Sequence, residues 1–451
     1  MTATTVETSL YLTGNFAPVR EEVSVDDLPV TGSIPEELEG RLLRIGPNPV
    51  TDPDPATYHW FTGTGMVHGL WLRGGKAVTY RNRYVRSDSA VDALGGPATP
   101  GPRHGMGDNT ANTNVIAHAG NTFAIVEAGG LPMQLTDELE TVSRSDFGGT
   151  LPGSFTAHPK VDPVTGELHA VVYYWEWDYI QYVVVGIDGR VRKSVNVPVP
   201  GGPMVHDCGL TESRVVLFDL PCIFDLDLAM AGRSLPYRWH PEYGARVGLL
   251  PREGEASETV WCELDDLCYV YHPLNAYDDG DRVIIDVAVH PRMFDQSVNG
   301  PNEGGPVFER WTIDPAGRRV GRDVISDRAQ EFPRVDERVV SRKHRYGYTA
   351  AFEAQDSAFV TSNILKHDLV AGTMVEHDLG GGRSTQEPVF VPKHADAAED
   401  EGWVLAYTHD PNRNAADVVI VDAQDFTGPP VATIHLPVRV PYGFHGNWIG
   451  S

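Results

Sequence analysis

Glycine and proline recur at short intervals along the whole chain, 46 and 34 times in 451 residues. What lies between them is dense in Val, Ile, Tyr, Phe and Trp, the residues that suit a pleated, half-buried surface. The runs KAVTYRNRYV, NTFAIVEA, HAVVYYWEWDYIQYVVVGI, RVVLFDL, DRVIIDVAVH, PVFERWTI, SAFVTSNIL, GWVLAYTHD and DVVIVDA read as strands. Helical periodicity is confined to the region 221–250 and to short stretches near 134–140. The chain is therefore expected to be all-β, with loops and a few short helices as caps.

A strand, a turn and a second strand recur together, as in VVVGIDGRVRKSVNVPV, FERWTIDPAGRRVGRDVI and VVIVDAQDFTGPPVATIHLPV. Meanders at intervals of roughly 50–60 residues are what the blades of a β-propeller look like in sequence. The repeat is degenerate and carries no WD or kelch signature, so two packed β-sandwiches remain the structural alternative. No linker is long or biased enough to divide the chain, which reads as one domain over residues 1–451.

The charge balance removes one class of function. Thirty-six Lys and Arg against 62 Asp and Glu give a net charge of −26. No Lys/Arg cluster forms the basic stripe that displaces counterions from nucleic acid. Cys208, Cys222, Cys262 and Cys268 lack Cys-x-x-Cys spacing and suit reduced thiols in a cytosolic protein. The N-terminal stretch MTATTVETSLYLTGNFAPVREEV has no basic region followed by an apolar core. No apolar run approaches the ~18 residues of a membrane span. The expectation is a soluble, cytoplasmic protein.

Seventeen histidines are too many to be all functional. No HExxH or other helical zinc motif occurs. His206-Asp207, His367-Asp368 and His409-Asp410 are adjacent pairs, which on a strand point to opposite faces. His59, His68, His104, His118, His240, His344 and His394 are read as loop or surface polarity. His158, His206, His272 and His445 stand out because each sits at a strand-to-loop transition rich in Gly and Pro. Their separations of 48, 66 and 173 residues bring them together only in a closed, radially repeated fold.

A set of ordered stretches now carries more than any one motif. LEGRLLRIGPNP, YHWFTGTGMVHGLWL, RNRYVRS, NTNVIAHAGNTFAIVEAGG, FTAHPKVDPVTGEL, MVHDCGLTESRVVLFDLP, YHPLNAYDDGDRVIIDV, EFPRVD, EPVFVP and FHGNW resemble the carotenoid cleavage oxygenases. That family includes carotenoid-, apocarotenoid- and stilbene-cleaving enzymes and the retinoid isomerase, and the match spans nearly the whole chain. The resemblance implies a seven-bladed β-propeller with Fe(2+) on its axis, held by His158, His206, His272 and His445. It implies outer carboxylates at Glu127, Glu331 and Glu387, each in or beside an apolar run where a bare charge is costly. Thr113 matches a position where some members place a threonine methyl near the open coordination site; a strand-end hydroxyl capping a turn explains it equally well.

Such a site has an intelligible chemistry. Neutral imidazoles leave the ion its full charge, and carboxylates behind them fix the tautomer and raise ligand basicity. The implied reaction is O2-dependent cleavage of a carbon–carbon double bond to two carbonyls, with no side chain needed as general acid or base.

The substrate expected is an apolar polyene, a carotenoid or apocarotenoid. The stilbene-cleaving branch carries a lysine just before the first outer glutamate, and this chain has Val126 there. TGTGM (Thr62–Met66) stands where relatives often have two acidic residues. A phenylpropanoid alkene, an isomerase, and a non-catalytic binding propeller are the other readings. Phe61, Trp175 and Trp177 are candidate tunnel residues, or plain core. Leu220–Trp239 is weakly amphipathic and reads either as a lipid-docking surface, for transient contact, or as a connection packed on the propeller.

Overall fold

The computed structural model describes residues 9–105, 107–301, 303–355 and 358–451. The first eight residues of the stretch read for a leader, and Ser357 at the start of SAFVTSNIL, lie outside the described residues. The protein is all-β, a propeller-like arrangement of antiparallel sheets with two short α-helices, Asp88–Leu94 and Leu226–Met230, among the described residues.

The sheets follow one another along the chain. Asn114–His118, Asn121–Ile125, Met133–Leu135 and Thr141–Arg144 form one four-stranded meander, and Lys160–Val161, Leu168–Val172, Tyr179–Val185 and Val191–Pro198 the next. An eight-stranded sheet covers residues 209–326. Its two four-stranded halves share one ladder pairing, the parallel bridge Glu263–Arg319. A further four-stranded sheet spans Gln330–His377.

Apart from the two-stranded hairpin Cys222–Phe224/Tyr237–Trp239, the remaining two sheets join the ends of the chain. Gly446–Gly450 pairs antiparallel with Gly40–Pro47, in the register Gly40–Gly450 to Arg44–Gly446. Val30–Gly32 pairs with Ala432–His435. These two pairings close the arrangement into a ring and leave no gap between first and last sheets.

Burial explains the composition. Leu168–Val172 is buried at all five positions, because strands between two neighbouring sheets are covered on both faces and so read as continuous apolar runs. The outlying strand Val191–Pro198 instead alternates buried and exposed positions toward its C-terminal end, as a half-solvated strand should. Each large apolar side chain buried this way contributes about 1.5–3 kcal/mol.

Two expectations fail. Residues 134–140 are not helical: Met133–Leu135 is a strand, and Thr136 Oγ1 accepts from the backbone N–H of Glu138 and Glu140 to make the following turn. Nor are His59, His68, His118 and His344 surface residues; all four are buried. His59 Nδ1 accepts from Phe61 N at 3.1 Å. His68 meets Tyr80 Oη at 2.8 Å, His118 the Gly186 carbonyl at 2.8 Å, and His344 the Asp286 carboxylate at 3.0 Å. Each has a specific hydrogen-bond partner in the interior, which local polarity does not reveal. His104 and His240 are partly buried and His394 is exposed. The four cysteines are free and buried.

Candidate metal centre

The edge strands of the sheets deliver the site. His158 lies just before Lys160–Val161, His206 just before Gly209–Leu210, and His445 immediately before Gly446–Gly450. His272 is inside Tyr269–Asp279, where the register slips on both sides of Pro273. That irregularity re-aims a side chain that a regular ladder would direct elsewhere. His445 is further fixed because its N–H donates to the Thr113 carbonyl at 3.1 Å and its carbonyl accepts from Ile45 N at 3.0 Å.

The four imidazoles converge. Each offers a ring nitrogen, and these atoms all lie within 4.8 Å of one another, with every ring buried. His206 Nδ1 meets Glu127 Oε1 at 2.9 Å, His272 Nδ1 meets Glu331 Oε2 at 2.6 Å, and His445 Nδ1 meets Glu387 Oε1 at 2.8 Å. A carboxylate accepts only, so each Nδ1 carries the proton and each Nε2 presents a lone pair.

His206 Nε2 and His272 Nε2 stand 3.1 Å apart, a contact that two bare lone pairs resist and that a cation between them resolves. His158 Nε2 is buried and has no hydrogen-bond partner. Four neutral imidazoles with inward lone pairs fit a first-row divalent ion, and the carboxylates behind them fit the tautomer such an ion requires.

The electrostatics follow from burial and pairing. Burial, then the three neighbouring imidazoles and Lys160, push His158 well below the ordinary histidine range. Burial lowers His445 to about 4 against the pull of Glu387. At His272 burial also opposes the charge, but Glu331 outweighs it and the net shift is upward. Burial alone would raise Glu387; Arg334, His445 and the Gly446 N–H overcome it and hold the carboxyl at about 2.

Several partners were not legible in the sequence. Glu331 Oε1 also accepts from His290 Nε2 at 2.9 Å, and Glu387 Oε2 accepts from Arg334 Nη1 at 3.0 Å. Asn447 Nδ2 donates to Asn114 Oδ1 and to the Val115 carbonyl at 3.0 and 2.8 Å, joining the edges of two sheets. The residues following two of the glutamates, Ala128 and Phe332, have φ of 59° and 55°. Backbone in this sparsely populated region recurs at functional sites.

A cavity of about 420 Å³ opens beside the imidazoles. Phe61, Tyr173, Trp175, Phe224, Phe332 and Phe444 are among its walls. Thr113 and Val126 line it too, and the Thr113 hydroxyl is turned to Asn112 Oδ1 at 2.8 Å. Trp177 does not line it; its ring stacks on Tyr179 with centroids 4.9 Å apart. The Leu220–Trp239 segment contributes to one wall: Phe224 and Tyr237 of the hairpin Cys222–Phe224/Tyr237–Trp239, with Leu235, line the cavity, while Leu226 and Met230 on its helix are 59% and 79% exposed.

A closed ring of β-sheets that gathers four buried imidazoles beside an aromatic cavity defines a protein equipped for metal-dependent chemistry on an apolar substrate. Residues 16–450 match the family described as retinal pigment epithelial membrane protein, RPE65. The chain is 44% identical to a carotenoid cleavage oxygenase of Mycobacterium tuberculosis over 97% of both chains. Its fold superposes on a lignostilbene dioxygenase of Pseudomonas brassicacearum with a TM-score of 0.90, at 28% identity, covering 99% of this chain and 100% of the other. The apocarotenoid oxygenase of Synechocystis superposes with a TM-score of 0.84, at 27% identity, covering 96% of this chain and 97% of the other. This chain belongs to the RPE65/carotenoid cleavage oxygenase family.

Proposed function

We propose that the protein is an Fe(2+)-dependent dioxygenase that cleaves a carbon–carbon double bond of a carotenoid or apocarotenoid with O2, giving two carbonyl products. The observation that carries this reading is four buried imidazoles, within 4.8 Å of one another, opening onto a mainly aromatic cavity. His158, His206, His272 and His445 hold the ion, and Glu127, Glu331 and Glu387 fix the tautomer of three of them. Iron, when bound, supplies the dioxygen chemistry that the side chains lack. Phe61, Phe332 and Phe444 exclude water and hold the polyene flat against the imidazoles. Thr113 lines the same cavity with its hydroxyl proton engaged by Asn112.

The likeness to a lignostilbene dioxygenase makes a phenylpropanoid alkene the second reading. Val126, a cavity-lining residue next to Glu127, cannot polarise a phenol and favours the polyene. We read the ring as seven-bladed, with the eight-stranded sheet counted as two blades. In support, its halves share a single bridge. Counted so, each of the seven sheet units also brings a residue to the centre from its edge strand or just before it: Thr113, His158, His206, His272, Glu331, Glu387 and His445. Among the described residues no helix is long and apolar enough to cross a membrane. Leu226 and Met230, exposed beside the cavity wall, suit transient docking on lipid by a cytoplasmic protein.

Metal analysis of the purified protein, followed by incubation with an apocarotenal, a full-length carotene and a hydroxystilbene with and without O2, tests the reading. Iron and two carbonyl products from a polyene, formed only with O2, are expected. An isomer formed without O2 overturns it, and turnover of the hydroxystilbene alone moves the substrate to the second reading.

A further inference from the structure

Three imidazoles of the centre have a glutamate at hydrogen-bond distance, and the fourth does not. His158 Nδ1 stands 3.8 Å from Asp207 Oδ2, beyond the range of a direct hydrogen bond. The carboxylate is already engaged: Lys160 Nζ donates to it at 2.8 Å and Cys208 N donates to Oδ1 at 2.6 Å. Asp207 and His158 are buried, with 3% and 6% of their surface exposed. All three side chains line a second cavity of about 410 Å³, whose walls also include Arg334, Glu337 and Asn447.

A carboxylate that accepts an imidazole N–H makes that imidazole a stronger donor to a metal. One that an ammonium 2.8 Å away keeps out of hydrogen-bond reach of the imidazole does so far less; Glu387 also faces a cation, Arg334, but still meets His445 Nδ1 at 2.8 Å. We infer that Asp207 is the anionic partner of His158, and that Lys160 holds it off, so that His158 is the weakest of the four donors. Lys160 and Asp207 are positioning residues here; neither is a ligand. The centre is then three strengthened imidazoles and one ordinary one, tuned by a lysine on the strand that begins two residues after its ligand. Removing the ammonium frees Asp207 to close the gap and accept a hydrogen bond from His158 Nδ1–H.

This inference rests on the metal-centre reading, and the test separates the two. Co(2+) affinity of the metal-free full-length protein is measured by chelator competition, with the ligand-field absorption of the loaded protein as a second readout. Lys160→Met should bind Co(2+) about tenfold more tightly and shift the absorption bands. Asp207→Asn, which leaves Lys160 uncompensated beside His158, should bind about tenfold more weakly. The double variant should return toward wild type. Lys160→Gln carries the test should the Met variant fail to fold. Wild-type affinity and bands in the folded Lys160 variants overturn the inference. A wild-type protein that takes up no Co(2+) instead overturns the metal centre itself, whereas uptake that is lost in His158→Ala leaves that centre standing.

Discussion

Glu331 and Glu387 each hold more than an imidazole. Glu331 bridges His272 and His290, and Glu387 bridges His445, Arg334 and the Gly446 N–H, whereas Glu127 Oε2 has no hydrogen-bond partner. The three carboxylates should therefore respond differently to neutralisation. Glu387→Gln should lower metal affinity ~10–100-fold and cost roughly 1–3 kcal/mol of stability, because a buried guanidinium loses its counter-charge, yet the protein should stay folded. Glu127→Gln should lower metal affinity with little change in the urea midpoint. Metal retention against a chelator and urea unfolding check both; equal midpoints for the two variants would refute the distinction. All four imidazoles and three glutamates of the site were legible in the sequence, through ordered motifs rather than through any one residue. Asp207 was not. Its adjacency to His206 suggested only that the two side chains diverge. Asp207 indeed turns away from His206, and what it turns toward, Lys160 and His158, is set by contacts between sheets that a linear reading does not contain.

Among the elements, the strands were plain because continuous apolar runs between Gly and Pro have few other uses. The helices were less so. QLTDELE has helix-forming side chains, but the Thr136 hydroxyl competes for the backbone and Leu139 adopts φ of 69°. The true helix Asp88–Leu94 carries its own signal, Ser87 Oγ accepting from Ala90 N at the N-cap. Pairing between strands is also where stability concentrates. Asp286, on Arg282–His290, lies opposite Arg310 on Val307–Asp314. It accepts from Arg310 Nε and Nη2 at 2.7 and 2.8 Å and from His344 Nε2 at 3.0 Å. Burial would raise this carboxyl, but Arg310 and His344 outweigh it and hold it below the usual carboxylate range. A depressed folded-state pKa gives stability that is present above the unfolded value and lost as pH falls through the folded one. Asp286→Asn should accordingly cost about 1–3 kcal/mol at pH 7, because Arg310, its side chain 28% exposed, and the buried His344 lose the charge that accepts from them. The gap to wild type should narrow below about pH 4. Urea unfolding at pH 7 and pH 3.5 measures this, and a gap independent of pH would rule it out.

For the molecule as a whole, a net charge of −26 and an exposed apolar pair beside the cavity pull in opposite directions at a lipid surface. Charge repulsion acts over about 10 Å at moderate salt, while apolar contact needs insertion. The protein should therefore sediment with neutral phosphatidylcholine vesicles more than with anionic ones, and Leu226→Asp with Met230→Asp should abolish the sedimentation; unchanged sedimentation would place the contact elsewhere. The ring itself was only half legible, since blades without a repeated signature are recognised by where their edges meet. The final strand does more than complete that ring. His445 arrives on the segment that zips the end of the chain to Gly40–Pro47. A chain in which this strand has not yet paired can thus offer three imidazoles at most. Tetradentate capture waits for that pairing, so a chain cut short of residue 445 is left a poorer chelator.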